Sequence, residues 1–242
     1  MVLTMTPLEV FKNNIAEVDS LINFDQQLLE LVTLTVEGLH QQLKLKFGDD
    51  RLNGARALAI IRGIRNNETL RSKYEAIYNQ AVVLLVSHFA SALGDLFRKA
   101  VSDRLASSDG GKLLEEEFKL TVSELKERNW DLSGAVPDLL IAKHDLTFQD
   151  MGATVRAFST YTCLTPERNV VMNNIIAAQA CRHAIVHAGG RVGEKTVRQV
   201  SKNFPRTFRP VLSNGEQLSF SLLEINALKS DMLNFIETLA GA

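Results

Sequence analysis

Cysteine is all but absent from this chain. Cys163 and Cys181 alone are too few for a disulfide framework or a four-cysteine zinc site, which makes a reducing cytoplasm the expectation. Charge of one sign is missing as well: 27 Lys and Arg stand against 28 Asp and Glu, a net of −1. The whole molecule is therefore not polybasic, and any grip on a polyanion must come from a local patch. No stretch approaches the roughly 20 uninterrupted apolar residues of a membrane helix; the longest, Ala81 to Val86, is broken by Ser87-His88 and then Asp95. Met1 to Pro7 has neither the basic start nor the apolar run of a signal peptide. There is no Walker phosphate loop, no dinucleotide-binding glycine pattern and no His-Glu-x-x-His. Gly189-Gly190-Arg191-Val192-Gly193 follows a helix rather than a strand, so these glycines read as a cap.

What is present is ordinary globular composition, 45% hydrophobic and 23% charged over 242 residues, enough to bury a sizeable core. Apolar residues recur at spacings of three and four nearly throughout, the period of helices with one buried face. Thr6-Pro7 reads as an N-cap with proline in the first turn. Leu8, Phe11, Ile15, Val18 and Ile22 then predict one helix, and 25–46 a second. A short apolar segment follows at Ala57 to Ile64, and a long helix over 68–106. Ser107 to Gly111 is the clearest loop, and 112–129 reads as a charged helix whose Glu115-Glu116-Glu117 run is a solvated face. Pro137 opens a short helix and 149–162 suggests another. Thr165-Pro166-Glu167-Arg168 has the form of a helix start leading to the stop at Gly189-Gly190. One further helix is read at 193–203, closed by Pro205. Asn214-Gly215, flanked by 209–212 and 218–221, signals a β-hairpin. Helical spacing returns at 222–239. The expected architecture is all-α, a single domain with a core over about 68–204. Helices at 7–65 and a hairpin plus helix at 205–242 are additions to it.

Chemistry concentrates in Arg182-His183-Ala184-Ile185-Val186-His187. His183 and His187 are four apart, about 40° around a helix, and so share a face. Arg182 and His187 are about 140° apart, and they converge only if the arginine wraps round or a second copy faces the first. Three readings of the histidines stay open: interaction with the helix C-terminus, a metal-chelating pair, and acid–base catalysis. The metal reading finds only Glu194 as a nearby third ligand, beyond the glycine stop. From Arg182 to Arg209 there are seven basic residues against Glu194 alone, a local +6 that leaves the remainder near −7. Within it, Arg191, Lys195, Arg198 and Lys202 fall at spacings of four, three and four, one basic stripe if the segment is helical. Such a stripe beside an Arg/His cluster favours a phosphate-bearing partner, RNA above all.

Arg182, four intervening residues and His187, near the end of a late helix in an all-α chain, resemble the R-x4–6-H motif of the HEPN superfamily (higher eukaryotes and prokaryotes nucleotide-binding). The run "CRHAIVHAGGRV" is most similar to its prokaryotic ribonuclease branch of toxins and phage-defence proteins. "LLVSHFASALGDLF" (Leu84 to Phe97) looks like that family's long core helix. The resemblance implies an endoribonuclease needing no metal or cofactor. Its RNA substrate would lie in a composite site between the two chains of a homodimer, and an antitoxin or defence protein would be a further partner. His187 would act as acid/base, Arg182 as phosphate clamp and His183 as its assistant, with Arg191, Lys195, Arg198 and Lys202 binding RNA. Cleavage through the 2′-OH would leave a 2′,3′-cyclic phosphate and a 5′-OH. Two positions depart from the pattern: Ala90 stands where an acidic residue often faces the motif, and Gly189 where related toxins carry an AMP-accepting tyrosine. A binding-only HEPN-like module is the alternative expectation.

Overall fold

In the computed structural model, residues 5–47, 56, 59–60, 63, 75–107, 110–132 and 134–241 are described. The described residues are mostly helical and form no strand beyond one isolated bridge. Helix α1 spans Pro7–Phe47, opened as expected: Thr6 Oγ1 accepts from the Glu9 N–H at 3.3 Å, and the Glu9 carboxylate accepts from the Thr6 N–H at 2.7 Å. Two helices were expected here and one is found. Residues 22–25 contain no glycine or proline, and Asn23 folds its amide onto the Asp19 carbonyl (2.8 Å) without breaking the ladder. Helix α2 is Glu75–Ala106. The readings at 48–50, at 57–58, 61–62 and 64, at 68–74 and at Ser108-Asp109 lie outside the described residues.

By length and composition α2 is long and apolar enough to cross a membrane, although polar residues interrupt it. Most of that window, 61%, is buried inside the protein, as befits a central core helix. Phe89 makes edge contacts with Phe11 of α1 (6.0 Å between centroids) and with Phe235 of the C-terminal helix (5.7 Å), tying the three together through aromatic pairing.

Residues 112–129 are not one helix. A 3-10 turn at Gly111–Glu115 leads to extended chain and then to the short α3, Val122–Glu127, closed at its start by a Thr121–Glu124 capping box. The break follows from Glu116, which is paired rather than solvated. Its carboxylate binds Lys143 and accepts from the Tyr161 hydroxyl at 2.6 Å, with the His144 ring 2.8 Å from that hydroxyl. These hydrogen bonds from Lys143 and Tyr161 hold the Glu116 carboxyl below its usual range, and burial pushes the Tyr161 phenol up to about 12.

Helix α4 (Val136–Lys143) has Pro137 in its first turn, and α5 (Met151–Tyr161) is capped by Asp150. Helix α6, Val170–Ala188, starts later than the Thr165 signature suggests. Asn169 is the cap, accepting from Met172 N–H at 2.9 Å, while Arg168 is turned away to the Lys202 carbonyl and Asn203 Oδ1. Gly189 ends α6 in the left-handed conformation (φ 58°), and a Cβ on Gly190 would sit 2.8 Å from Gln217 Nε2.

Helix α7 covers Glu194–Val200 and α8 Leu222–Gly241. Between them the expected hairpin does not form. Asn214-Gly215 does turn, yet 215–218 bonds to 190–192 (Val192 N–H to Glu216 O, Leu218 N–H to Gly190 O, both 2.8 Å) rather than to 209–212. Leu212, Leu218 and Phe220 are buried in the core, and Arg209 is drawn to Glu216 and Glu224. Each arm is therefore held by the core instead of by the other. Ile225, Leu228, Met232, Phe235, Ile236 and Leu239 of α8 join the same hydrophobic cluster as α1, α2 and α6.

Candidate functional site

Helix α6 is buried along most of its length and emerges at its C-terminal third. Where it emerges, a cleft of about 770 Å³ opens between it, α7 and the turn before α5, lined by Thr147, Gln149, Asp150, Gln179, Arg182, His183, Lys195, Arg198 and Gln199. Arg182 is half-buried; one guanidinium nitrogen donates to Gln149 Oε1 at 2.9 Å, while its buried Nε has no hydrogen-bond partner. Gln179, only 4% exposed, is in the same condition. Its carbonyl accepts from Met151 N–H at 3.1 Å, but its buried Nε2 donates to no described group. An orphaned buried donor is costly, and two on one wall make the cleft a place that wants an acceptor. Asp150 is the one carboxylate among the lining residues, and it is occupied by its N-cap bond to Ala153 N–H (2.7 Å).

Of the residues singled out in the sequence, the fold brings Arg182, His183, Lys195 and Arg198 to this one cleft. Lys195 and Arg198 are exposed and make no ion pair with any described residue. The basic stripe does not continue beyond them, because α7 is only seven residues long. Arg191 precedes it in the bridge to Gln217 and donates to the Gly215 carbonyl, and Lys202 lies in the turn after it. Arg206 and Arg209 are internal. Arg206 is buried and donates to the carbonyls of Val200, Asn203, Arg209 and Pro210; Arg209 is paired with Glu216 and Glu224. Ala90 is buried on α2, Ser91 beside it is exposed, and neither lines the cleft.

His187 lies outside the lining but stacks obliquely on His183, with centroids 4.6 Å apart and planes at 48°. Partial burial, then the His187 ring, Lys195 and Arg182, hold the His183 imidazole below its ordinary pKa. An anion in the cleft would oppose the cationic part of that shift. Followed by NMR, the His183 ring should titrate below the ordinary histidine value and move upward in Lys195→Gln and on addition of inorganic phosphate. A ring that ignores both would show that the cleft charges do not act on it.

Gln149 carries no signal in the sequence, whereas Gln179, missed as well, does carry one, since it lies one turn before Arg182 on the same helix. Gln149 arrives through tertiary structure: Phe148 adopts a positive φ (56°) while its ring packs 5.5 Å from Phe97. Anchoring that strained residue turns its neighbours Thr147 and Gln149 to the cleft. A second hollow of about 440 Å³ shares Asp150, Gln179 and Gln199 and adds Arg156 and Arg168, so the cationic lining runs on past Gln179. Among the described residues no three His, Cys, Asp or Glu side chains group to hold a metal ion. Cys181, next to Arg182, is buried and its thiol is pushed up to about 12 by that burial, which leaves it unreactive. No family model, no curated protein and no solved structure matches the chain.

Proposed function

We propose that this protein is a HEPN-like endoribonuclease whose active cleft is built around Arg182 and His183, with His187 packed against the His183 ring. The observation that carries the reading is the convergence, in one cleft, of the Arg182 guanidinium, the His183 imidazole and the unpaired donors of Gln179, Lys195 and Arg198. That set suits a phosphodiester. Arg182 holds the non-bridging oxygens and stabilises the charge that grows on them in the transition state. His183, the neutral ring, takes the proton from the ribose 2′-OH as that oxygen attacks phosphorus. The bond to the 5′ oxygen breaks, and the leaving oxygen receives a proton from the protonated form of His187. The second hollow, with Arg156 and Arg168, accommodates the neighbouring phosphates of a single strand. Homodimerisation and a role in a toxin–antitoxin or antiviral system accompany this reading through the resemblance of the Arg182–His187 motif.

Incubating the purified chain with single-stranded RNA in EDTA tests it. Cleavage to 2′,3′-cyclic phosphate and 5′-OH ends is expected, with DNA of the same sequence left intact because it lacks the nucleophile. Retention of RNA without cutting would instead identify a binding module, the second reading, which Ala90 in place of an acidic residue favours. Cleavage appearing only on addition of zinc would remove the proposed chemistry.

A further inference from the structure

The second hollow differs from the cleft in what faces it. Asp150, Gln179 and Gln199 form a wall common to both. On one side of that wall stand the cations and the imidazole of the cleft; on the other, Met151, Val155, Pro166, Met172 and Ile176 line about 440 Å³. That volume falls in the range of roughly 300 to 1,000 Å³ of small-ligand sites, which pair apolar faces with a few placed polar groups. Gln179 supplies such a group. The Met151 N–H can only donate, so the atom that meets it at 3.1 Å is the amide carbonyl, and Nε2 is left over. Of the residues lining the hollow, Gln179 alone holds a buried donor with no partner among the described residues. Anchored by its carbonyl, the amide offers that donor in a fixed place. Asp150, the residue before Met151, offers an acceptor: Oδ1 is taken by the Ala153 N–H, and no described group donates to Oδ2. Arg156 and Arg168 complete the lining and are exposed.

We infer that this hollow is a nucleobase subsite: it takes the unstacked base next to the phosphodiester held at Arg182, and Gln179 Nε2 donates to an acceptor on the edge of that base. The lining selects a base over other occupants. A phosphate would be buried against five apolar side chains with one neutral amide to meet it, which is costly. A wholly apolar ligand would leave the Gln179 donor orphaned. A base answers both demands. Its flat faces suit the soft thioethers of Met151 and Met172 and the aliphatic Ile176 and Val155. Its edge carries acceptors and donors side by side, matching an amide donor beside a carboxylate oxygen. The phosphates attached to that base then remain with the exposed Arg156 and Arg168, where charge stays solvated. The inference rests on the RNA reading of the cleft and deepens it, since an enzyme with this subsite is selective for the base beside the cut.

Methyl NMR of the full chain labelled at methionine tests this without requiring cleavage. AMP, GMP, CMP and UMP are titrated separately, with ribose 5-phosphate and inorganic phosphate as base-free controls. At least one nucleotide should move the Met151 and Met172 methyl signals, which belong to the hollow, and leave that of Met232, which does not line it; the controls should move none of them. Gln179→Glu keeps the acceptor for the Met151 N–H and removes the donor, so it should weaken nucleotide binding at least about tenfold. Ile176→Trp, which fills the hollow and leaves the amide in place, should do the same; circular dichroism checks that both variants fold. Methionine signals indifferent to all four nucleotides, or moved equally by ribose 5-phosphate, would overturn the inference, as would a folded Gln179→Glu chain that binds like the parent. Nucleotide at the two methionines in a chain that cuts no RNA would sink the nuclease reading and leave the subsite standing. RNA cutting without base preference, with silent methionines, would do the reverse.

Discussion

Arg182→Ala is expected to slow RNA cleavage at saturating substrate by about a hundredfold to a thousandfold, the usual cost of deleting a donor aimed at charge that develops in a transition state. The fold should survive, since the side chain is half-buried and its one hydrogen bond goes to Gln149. Arg182→Lys should recover only part of the rate, because an ammonium cannot reproduce the planar fork on two phosphate oxygens. Lys195→Gln and Arg198→Gln give the contrast. Both residues are exposed and without an ion-pair partner among the described residues, so their loss should weaken RNA affinity, lower the salt slope by about one each and leave the saturated rate nearly intact. Removing either imidazole, His183→Ala or His187→Ala, should cost about 10²- to 10⁴-fold in rate. His183→Ala should also abolish the rising limb of the pH–rate profile, which under this mechanism reports deprotonation of the cleft-facing ring. An Arg182→Ala protein that cuts at the parental rate would place the chemistry elsewhere.

Asn174→Ala should be the most damaging single polar substitution in the scaffold that carries the cleft. Asn174 is buried on α6 and all its capacity is used. Its carbonyl accepts from the backbone N–H groups of Thr207 (2.8 Å) and Phe208 (2.9 Å), and its amide donates to Thr207 Oγ1 (2.9 Å) and Asp231 Oδ2 (2.8 Å). One side chain thus fastens the irregular 207–208 segment between α6 and α8. Truncation orphans two backbone donors and a carboxylate, a loss of about 2 to 4 kcal/mol, which for a chain of this size lowers Tm by roughly 5 to 12 °C. Burial holds the Asp231 carboxyl above its ordinary value, and the Asn174 amide opposes that rise. Without the amide the folded-state pKa climbs further. A carboxyl whose folded pKa lies above its unfolded value subtracts stability as pH rises through that window and restores it on acidification. The deficit of Asn174→Ala against the parent should therefore narrow as pH falls into the carboxylate range. A Tm shift under about 2 °C would show that water replaces the amide at no cost.

The helical character was legible because it is local. Three- and four-residue spacing, the Thr6-Pro7 cap, Pro137 at a helix start and the stop at Gly189-Gly190 each need only neighbours in sequence to be recognised. Two of the readings failed because a distant partner outbid a local pattern. Glu116 broke a plausible helix because Lys143 and Tyr161 hold its carboxylate. The Asn214-Gly215 turn lost its hairpin because 190–192 supplied the hydrogen bonds and the core took the flanking side chains.

The candidate site divides the same way. Composition and spacing alone determined an all-α chain with an Arg/His cluster at the end of a buried helix and a local excess of positive charge. Which cations remain available was decided by tertiary structure. Arg206 and Arg209, indistinguishable by charge from Lys195 and Arg198, are consumed by carbonyls and carboxylates that the fold brings to them. Gln149 reaches Arg182 only because Phe148 is anchored on Phe97. Charge is written in the residue, but whether it is free to meet a ligand depends on what the folded chain places beside it, and that pairing is set across intervals no sequence window spans.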